Sequence, residues 1–345
     1  MKKKILISIL VIVIIVAAVF GYYIYRMWPM LSTTMGDVEL TEDHQSHQIT
    51  EKAAADGADT ATVYMTTEIT PEGLMRAYEA LGVKLTGDNI AVKLSTGEPG
   101  SNYLDPDLIA DLVHEVDGTI VECNTAYQGS RTETEMHYQV AADHGYTDIA
   151  DVVIMDEDGS VSIPVEGGTR MTENLVGAHF PEYDGFLVLS HFKGHAIAGF
   201  GGALKNISIG MASQEGKCLI HTDGASRTSP WGGAQDPFLE CMAEAGKSVE
   251  DAVDGNMLYI NVMNRLSVDC DCDSSPAEPD MHDIGILAST DPVALDQACV
   301  DLVYEAEDGA SLVERMESRN AEHVLERGEE IGLGSRSYEL VSIDE

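Results

Sequence analysis

Residues 185–210 read GFLVLSHFKGHAIAGFGGALKNISIG, and this stretch joins an apolar strand to a glycine-rich turn. The apolar run at 185–189 has the length of a buried strand, and polar residues begin at Ser190. In α/β proteins, ligands bind where strands end in such turns. The stretch therefore predicts the centre of an α/β fold and the position of its ligand site.

Strand and helix patterns alternate on both sides of this centre, which is typical of a largely parallel sheet. Predicted strands cover residues 61–67, 90–94, 119–123, 257–262 and 338–343, with a hairpin at 152–155 and 161–165. Predicted helices cover residues 70–81, 105–116, 132–144, 236–253, 291–303, 305–319 and 321–327. We therefore predict a largely parallel sheet with helices on both faces over residues 61–345, in one domain or two lobes.

The N-terminus has the pattern of a membrane anchor. Lys2–Lys4 precede Ile5–Tyr25, a run of 21 residues without charge. As a helix this run spans about 31 Å, the thickness of the hydrocarbon core of a bilayer. The lysines indicate the cytoplasmic side, and aromatic residues at 22–28 indicate the far interface.

These features predict a transmembrane helix within an anchor at residues 1–28 and a polar stalk at 29–60. The protein would then be a single-pass protein of the cell membrane, with the bulk of the chain extracytoplasmic. A signal peptide cleaved near residues 16–18 is the alternative.

The composition is strongly acidic. The chain has 59 Asp and Glu against 20 Lys and Arg, a formal net charge of −39. Nucleic acid and anionic lipid surfaces are poor partners for such a protein, because both are polyanions. We therefore expect no nucleic-acid partner, and expect a small-molecule substrate or cofactor. An acidic surface also keeps a protein hydrated in high salt, although ordinary drift in composition explains it equally.

Two histidines follow the central strand and are candidates for catalysis. His191 and His195 are four residues apart, which is a metal-ligand spacing if the segment is helical. Gly194 and Gly199 disfavour a helix there, so a shared metal ion is the weaker alternative. We therefore assign catalytic roles to His191 and His195.

The glycine-rich turn after these histidines is a candidate cofactor site. Gly199, Gly201 and Gly202 allow backbone N–H groups to approach a ligand closely, and Lys205 and Asn206 follow in the first turn of a helix. Lys205 could bind an anion, such as the phosphate of a nucleotide, or attack an electrophile. A tight turn with a solvated lysine is the alternative. The spacing of a phosphate-binding P-loop is not met.

Two cysteines form a second candidate site. Cys270 and Cys272 lie in Asp-Cys-Asp-Cys-Asp at residues 269–273, and their thiolates could share one soft metal ion or a corner of an Fe–S cluster. A disulfide or a structural turn is the alternative. The other four cysteines lie in apolar or helical surroundings and are expected to be buried thiols, namely Cys123, Cys218, Cys241 and Cys299.

Three stretches of the chain resemble the family known as domain of unknown function 362. They are residues 191–221, the run Val-Asp-Cys-Asp-Cys-Asp at 268–273, and residues 283–299. The resemblance extends from Thr62 to Glu345. Members of that family are described as Fe–S centre proteins, so the resemblance implies a bound metal ion or Fe–S cluster.

A more distant resemblance is to the nickel-pincer lactate racemase family. The pattern is H-x3-G-x2-G-x2-K-x4-G followed by a later His, which here is His195, Gly199, Gly202, Lys205, Gly210 and His221. The resemblance implies that Lys205 tethers a pyridinium-derived nucleotide, that His221 is a nickel ligand and that His195 is the acid/base group.

The chain departs from the racemase pattern in two places. The phosphate-binding D-x-T-R of that family is replaced by Ser-Thr-Gly-Glu-Pro at residues 95–99. The second acid/base histidine of the family is expected near residues 125–128, where this chain has no histidine. The resemblance therefore does not imply a racemase with two bases.

The leading functional hypothesis is a membrane-tethered, extracytoplasmic protein that holds a metal ion, an Fe–S centre or a phosphate-bearing cofactor. It would be an enzyme acting on a small molecule by redox chemistry or by proton or hydride transfer, and thus an oxidoreductase or an isomerase. One alternative is a racemase-like isomerase with a nucleotide cofactor tethered to Lys205. The other is a noncatalytic protein that binds a metal ion or cofactor.

Overall fold

The apolar runs of the sequence form an eight-stranded central sheet. A computed structural model describes residues 60–344 of the chain. The strands of this sheet are β1 (Ala61–Thr66), β2 (Ile90–Lys93), β3 (Thr119–Glu122), β4 (Val152–Ile154), β7 (Gly185–His191), β10 (Met257–Met263), β11 (Gly285–Ser289) and β12 (Tyr338–Ser342). Two smaller sheets pair β5 (Ser160–Pro164) with β6 (Glu173–Gly177) and β8 (Lys193–His195) with β9 (Gly199–Gly201).

The central sheet is largely parallel, which confirms the prediction from the alternating pattern. Its strand order is β12-β1-β11-β10-β7-β2-β3-β4, and within this sheet β11 runs antiparallel to both of its neighbours. Every other pairing in the sheet is parallel. The carboxyl ends of β2, β3, β7 and β10 therefore meet at one edge, where ligands bind in sheets of this kind.

Nine α-helices among the described residues accompany the sheet. They are α1 (Pro71–Ala80), α2 (Pro106–Glu115), α3 (Thr134–Asp143), α4 (Ala203–Ser208), α5 (Gln214–His221), α6 (Gln235–Ala252), α7 (Pro292–Glu305), α8 (Ala310–Glu317) and α9 (His323–Glu330). Single turns of 3-10 helix lie at Tyr146–Asp148 and Phe180–Glu182.

The two faces of the sheet bury separate hydrophobic cores. Along β7, Phe186 and Val188 belong to one core and Leu187 and Leu189 to the other, because side chains alternate across a strand. Residues of α4, α6 and α7 complete the first core, and residues of α1 and α2 complete the second. Helices thus cover both faces, and this double burial explains why β7 and β10 are buried at nearly every position and mostly apolar.

Capping residues determine three of the predicted helix starts. Thr70, Asp105 and Asp291 each accept a hydrogen bond from a backbone N–H group of the first turn, and each precedes a proline. The β8–β9 hairpin was not predicted, because strands of three residues are too short to show an alternating pattern.

The predicted membrane anchor at residues 1–28 and the predicted stalk up to residue 59 lie outside the described residues. Within residues 60–344, no helix combines the length and the apolar character that a bilayer crossing requires. The described residues all belong to one compact unit.

Candidate functional site

A buried ion pair joins the carboxyl ends of β2 and β3. Lys93 Nζ lies 3.3 Å from Glu122 Oε2, and both side chains are almost fully buried. The same Nζ donates to Leu94 O at 2.7 Å and to Asn206 Oδ1 at 2.9 Å. Buried charges are tolerated only when they are paired and hydrogen-bonded, so these contacts hold the two strands and α4 in one relative position.

Arg131 extends this pair into a network. Its guanidinium lies 3.1 Å from Glu98 Oε1 and 3.2 Å from Glu122 Oε1, and it donates to Tyr127 Oη at 2.9 Å. Burial opposes the charge on Glu122, but Lys93 and Arg131 lower the pKa of Glu122 to about 2. We refer to Lys93, Glu98, Glu122 and Arg131 as the ion-pair network.

The ion-pair network was not among the site residues predicted from the sequence. A signal was present for two members, because Lys93 and Glu122 are charged residues within otherwise apolar strand patterns. Glu98 and Arg131 lie in loops, where charged residues are ordinary. Only the folded chain shows that these loops meet.

Asn206 connects the ion-pair network to β7. Its Oδ1 accepts a hydrogen bond from Lys93, and its Nδ2 donates to Leu189 O and Ser190 Oγ, both at 3.0 Å. Both the oxygen and the nitrogen of this side-chain amide therefore have hydrogen-bond partners within the chain. The predicted role of Asn206 in cofactor binding is replaced by a structural one, which is to anchor α4 and its neighbour Lys205 at the edge of the sheet.

Lys205 has no hydrogen-bond acceptor for its amine among residues 60–344. The residue is only partly exposed. Burial, with the charge of Arg131 adding to it, lowers the pKa of Lys205 to about 8. An amine of this pKa can meet an anion as a cation or, after loss of a proton, attack an electrophile.

The backbone N–H groups after the glycine-rich turn bind a carboxylate of this chain. Ala203 N and Leu204 N donate to the two oxygens of Asp296, at 2.8 Å and 2.9 Å. A Cβ at Gly202 would lie 2.3 Å from Asp296 Oδ1, so only glycine permits this approach. These two amide groups therefore already have an anionic partner within the chain, and the cofactor site at this turn stays a prediction.

Packing explains the other two glycines of the predicted cradle. Gly199 has a φ of +83°, and a Cβ there would lie 2.4 Å from Ala321 Cβ. A Cβ at Gly201 would lie 3.3 Å from Lys205 Cδ, so this glycine leaves room for the lysine stem. Both residues lie in β9 and pair with β8, and the contacts assigned to a cofactor are made within the chain.

His195 is held in one tautomer. Its Nδ1 accepts hydrogen bonds from Ile197 N at 3.2 Å and Ala198 N at 2.9 Å. Nδ1 therefore presents its lone pair, and the neutral ring carries its proton on Nε2. Burial and the charge of Lys205 lower the pKa of His195 well below its ordinary value, so the ring is neutral. His195 is thus a hydrogen-bond donor through Nε2.

His221 is held in the opposite tautomer. Its Nδ1 lies 2.7 Å from Lys217 O and donates to it, so the lone pair is on Nε2. The ring stacks on Phe238 with the ring centroids 4.8 Å apart. Burial, reinforced by the charges of Lys205 and Lys217, lowers the pKa of His221 to about 4. His221 is thus a proton acceptor or a metal ligand through Nε2.

Lys205 acts electrostatically on both histidines. Its charge lowers the pKa of His195 and of His221, and the pKa of His195 also responds to His221. Such effects weaken with distance, so the three side chains belong to one polar edge of the sheet. This edge combines a hydrogen-bond donor on His195, a nitrogen lone pair on His221 and a Lys205 amine that has no acceptor within residues 60–344.

Both ring nitrogens of His191 have partners within the chain, and its predicted catalytic role stays a prediction. Its Nδ1 lies 3.0 Å from Asp271 Oδ2, and its Nε2 lies 2.8 Å from Asn264 O. His191 therefore anchors the loop that contains Asp271.

Cys270 and Cys272 are joined by a disulfide bond, which is the alternative to their predicted role as metal ligands. A ring nitrogen of His195 and the two sulfur atoms all lie within 4.8 Å of one another. No other group of three His, Cys, Asp or Glu ligand atoms comes together in this way within residues 60–344. Since the thiolate is the form of cysteine that binds metals, this group fits a metal ion only after reduction.

The remaining four cysteines are buried free thiols, as the sequence predicted, namely Cys123, Cys218, Cys241 and Cys299. Burial raises the pKa of each of them. An Fe–S cluster needs three or four ligands converging on one point. The described residues offer no such set of thiolates, so the predicted Fe–S centre does not fit this part of the chain.

A cleft of about 450 Å³ lies between the start of α2 and the end of α3. Its lining includes Tyr103, His144 and Arg265. None of the residues that line it is His195, Lys205 or His221. The polar edge, rather than this cleft, is therefore the candidate site.

Comparisons with known proteins confirm the resemblance to domain of unknown function 362. The family model described as "Domain of unknown function (DUF362)" matches residues 90–301. None of the curated proteins matches the chain. Seven solved chains match, among them the lactate racemase apoprotein from Thermoanaerobacterium thermosaccharolyticum, with 15% sequence identity and a TM-score of 0.44. That match covers 71% of this chain and 57% of the racemase, so this chain spans less than two thirds of the racemase's length.

Proposed function

Because the chain belongs to the DUF362 family, whose description states no reaction, we propose its function from the chemistry of the polar edge. We propose that the protein is an enzyme that binds a small anionic molecule, a carboxylate or a phosphate, at Lys205. His221 would accept a proton from this molecule, and His195 would donate a hydrogen bond to it. Among the predicted reaction classes, an isomerase that moves a proton fits these residues best.

The missing acceptor of Lys205 is the observation that carries the proposal. The neighbouring lysines have acceptors, since Lys93 pairs with Glu122 and Lys217 Nζ donates to Ala212 O at 2.6 Å. A partly buried amine that has lost hydration without gaining an acceptor is unfavourable. An anionic ligand would supply the missing partner.

The two histidines have complementary roles toward a bound substrate. His221 Nε2 has the lone pair that can accept a proton from the substrate, and His195 Nε2 has an N–H that can donate a hydrogen bond to it. Both rings are neutral at pH 7 because their pKa values are lowered. His221 can then act as a general base, and His195 can stabilise the negative charge that develops on the substrate.

The same residues fit the nucleotide cofactor that the racemase resemblance implies. The Lys205 amine has no acceptor, as a covalent tether requires. Nδ1 of His221 is held by a backbone carbonyl, which is how histidine ligands of metal ions are commonly oriented. When bound, such a cofactor would supply a hydride acceptor. His195 would still hold the proton on Nε2.

Replacing Lys205 tests the anion site. Binding of 2-hydroxy acids and of inorganic phosphate is measured by calorimetry for the wild type and for Lys205→Met. We expect the substitution to weaken binding at least about tenfold, because hydrogen bonds to charged groups contribute about 1.5–3 kcal/mol. Lys84→Met is the matched control, since Lys84 is an exposed lysine paired with Glu115. Equal binding by Lys205→Met and the wild type would contradict the proposal.

Proton transfer is tested separately from binding. Exchange of deuterium from heavy water into each bound acid is followed by NMR, and we expect His195→Gln to keep binding but lose exchange. Binding without exchange in the wild type would instead favour the noncatalytic alternative. Native mass spectrometry with elemental analysis of anaerobically purified protein detects a covalent adduct at Lys205 or a bound metal ion.

A further inference from the structure

The Cys270–Cys272 disulfide differs from the other cysteines in its position. Both of its residues are partly exposed, whereas the four free thiols are buried in the core. The chain is fully exposed from Asp273 to Ser275, directly after the disulfide. Among the described cysteines, this pair is therefore the one that an external reactant can reach.

The disulfide closes too short a loop to have a large role in stability. A disulfide stabilises a fold mainly by restricting the unfolded chain, and the effect grows with the length of the closed loop. Cys270 and Cys272 are only two residues apart. The bond therefore restricts the unfolded chain very little.

Contacts outside the disulfide hold this loop in place. The Asp271 carboxylate lies 2.5 Å from Lys193 Nζ and 3.0 Å from His191 Nδ1. Burial opposes the charge on Asp271, but His191 and Lys193 lower its pKa to about 2. Glu98 N donates to Asp271 O at 2.7 Å. Because these contacts do not involve sulfur, the two thiols would remain close together after reduction.

Arg315 and Tyr127 hold the two ends of the same loop. Arg315 Nη1 donates to Val268 O at 2.7 Å and to Asp269 Oδ1 at 3.2 Å. Tyr127 Oη donates to Cys272 O at 3.3 Å. A loop fixed on both sides of the bond can cycle between disulfide and dithiol without rearranging.

His195 is the titratable residue beside both sulfur atoms. A ring nitrogen lies within 4.8 Å of each sulfur, and Nδ1 is occupied by two backbone N–H groups. As a neutral metal ligand, the ring would need a proton on one nitrogen and the metal on the other, so Nδ1 would have to lose both of these bonds. The proton on Nε2 instead suits a group that donates a hydrogen bond to a departing thiolate.

We propose that Cys270 and Cys272 form a redox-active pair that exchanges electrons with an external dithiol, and that His195 stabilises the departing thiolate as a hydrogen-bond donor. This inference does not rest on the proposed anion site, because it needs no ligand at Lys205.

The reaction balances without a metal or further cofactor. A thiolate of the external dithiol attacks one sulfur of the pair, the S–S bond breaks, and a mixed disulfide forms. The released cysteine thiolate accepts a hydrogen bond from the ring of His195 and takes its proton from water. The second thiolate of the donor then displaces the remaining cysteine, which is protonated in the same way, so the pair gains two electrons and two protons and the donor becomes a disulfide.

Native thiol trapping of the full-length protein tests the proposal. The protein is treated with maleimide before and after dithiothreitol, without denaturant, and adducts are counted by mass spectrometry and located by peptide mapping. We expect no adduct before reduction and two afterwards, at Cys270 and Cys272. The buried cysteines should stay unlabelled, so Cys218→Ser should give the same count as the wild type. Thiols that appear only after denaturation, or labelled cysteines before reduction, would overturn the proposal.

The rate of reduction tests the role of His195. We expect His195→Gln to slow reduction by dithiothreitol about tenfold or more, because the flexible amide does not hold a donor in the place of the ring N–H and a hydrogen bond to a charged group contributes about 1.5–3 kcal/mol. His282→Gln, which alters an exposed histidine paired with Asp308, should leave the rate unchanged. Equal rates in the wild type and His195→Gln would overturn the role of His195. The thiol-trapping experiment uses the wild type, so its result does not depend on whether this variant folds.

A double replacement separates redox function from stability. We expect Cys270→Ser with Cys272→Ser to keep the melting temperature of the wild type, because the loop is held by Asp271. A large fall in melting temperature would show the disulfide to be structural and would overturn the proposal.

Discussion

At the scale of single residues, the ion-pair network is the feature whose buried charges depend most strongly on one another. The side chains of Lys93, Glu122 and Arg131 are 1%, 6% and 3% exposed, so water screens these charges very little. Each charge is tolerated because the others are present. Removing one member should therefore be far more harmful than removing a charge from the surface.

Glu122→Gln tests this dependence. The substitution keeps the shape of the side chain but leaves Lys93 without its carboxylate and Arg131 with only Glu98. We expect the free energy of unfolding to fall by about 3 kcal/mol, as for other broken buried pairs. The measurement is urea denaturation followed by circular dichroism.

Glu115→Gln is the control for this experiment. Glu115 pairs with Lys84 at 3.0 Å, but both side chains are exposed. Exposed pairs contribute about 0–1 kcal/mol, so this variant should unfold close to the wild type. Similar losses in the two variants would mean that the buried network does not stabilise the fold as described.

At the scale of elements, the short helix α4 shows how tertiary contacts replace local stability. A helix of six residues is not stable by itself. Asp296 of α7 binds its first N–H groups, and Asn206 ties it to the end of β7. Lys205 is therefore positioned by two other elements rather than by its own helix.

Gly202→Ala tests the contact between α4 and α7. A methyl group at this position would lie 2.3 Å from Asp296 Oδ1, so the carboxylate must move away from the helix start. We expect a loss of about 1–3 kcal/mol in the free energy of unfolding, as for other overpacked sites. Chemical denaturation measures the loss.

Gly201→Ala is the neighbouring control. Its added Cβ would meet the flexible stem of Lys205 at 3.3 Å, which can shift. We expect a smaller loss of stability than in Gly202→Ala. If Gly201→Ala were the more harmful variant, the Asp296 contact would not be what requires glycine in this turn.

At the scale of the whole molecule, charge is distributed unevenly. The chain has a formal net charge of −39 but only 20 basic residues. Three of these, Lys93, Arg131 and Lys217, lower the pKa of a fourth, Lys205, at the polar edge. A local cationic site within a strongly anionic molecule favours small anions over polyanions, because a polyanion also meets the repulsive surface around the site.

The cellular location of the protein is also a property of the whole molecule. We propose that residues 1–28 anchor the chain with its bulk outside the cytoplasm, because Lys2–Lys4 precede an uncharged run of bilayer length. The Cys270–Cys272 disulfide supports an oxidising compartment. A reporter that works only after export should show activity when it is fused after Glu345.

Deletion of residues 1–28 provides the control for this topology. Without the anchor, the same reporter should be inactive and the protein should leave the membrane fraction. A full-length fusion whose reporter works in the cytoplasm would contradict the proposed orientation.

The sequence by itself determined the layout of the fold. Alternating strand and helix patterns predicted the parallel sheet, and Thr70, Asp105 and Asp291 marked helix starts that the structure confirms. These signals are local, because hydrophobic periodicity and capping act between residues a few positions apart. The sequence also singled out His195, Lys205 and His221 and the cysteine pair.

Only the tertiary structure decided what each of these residues can do. The tautomer of His195 is set by backbone N–H groups of the β8–β9 hairpin. His191 is hydrogen-bonded to Asp271 from a distant loop. Asp296 accepts the hydrogen bonds of the backbone N–H groups that follow the glycine-rich turn. The ion-pair network joins residues from three separate segments. A residue type and its spacing state which chemistry is possible, but hydrogen-bond partners far apart in the chain determine which lone pairs, protons and charges remain available, and those partners meet only when the chain folds.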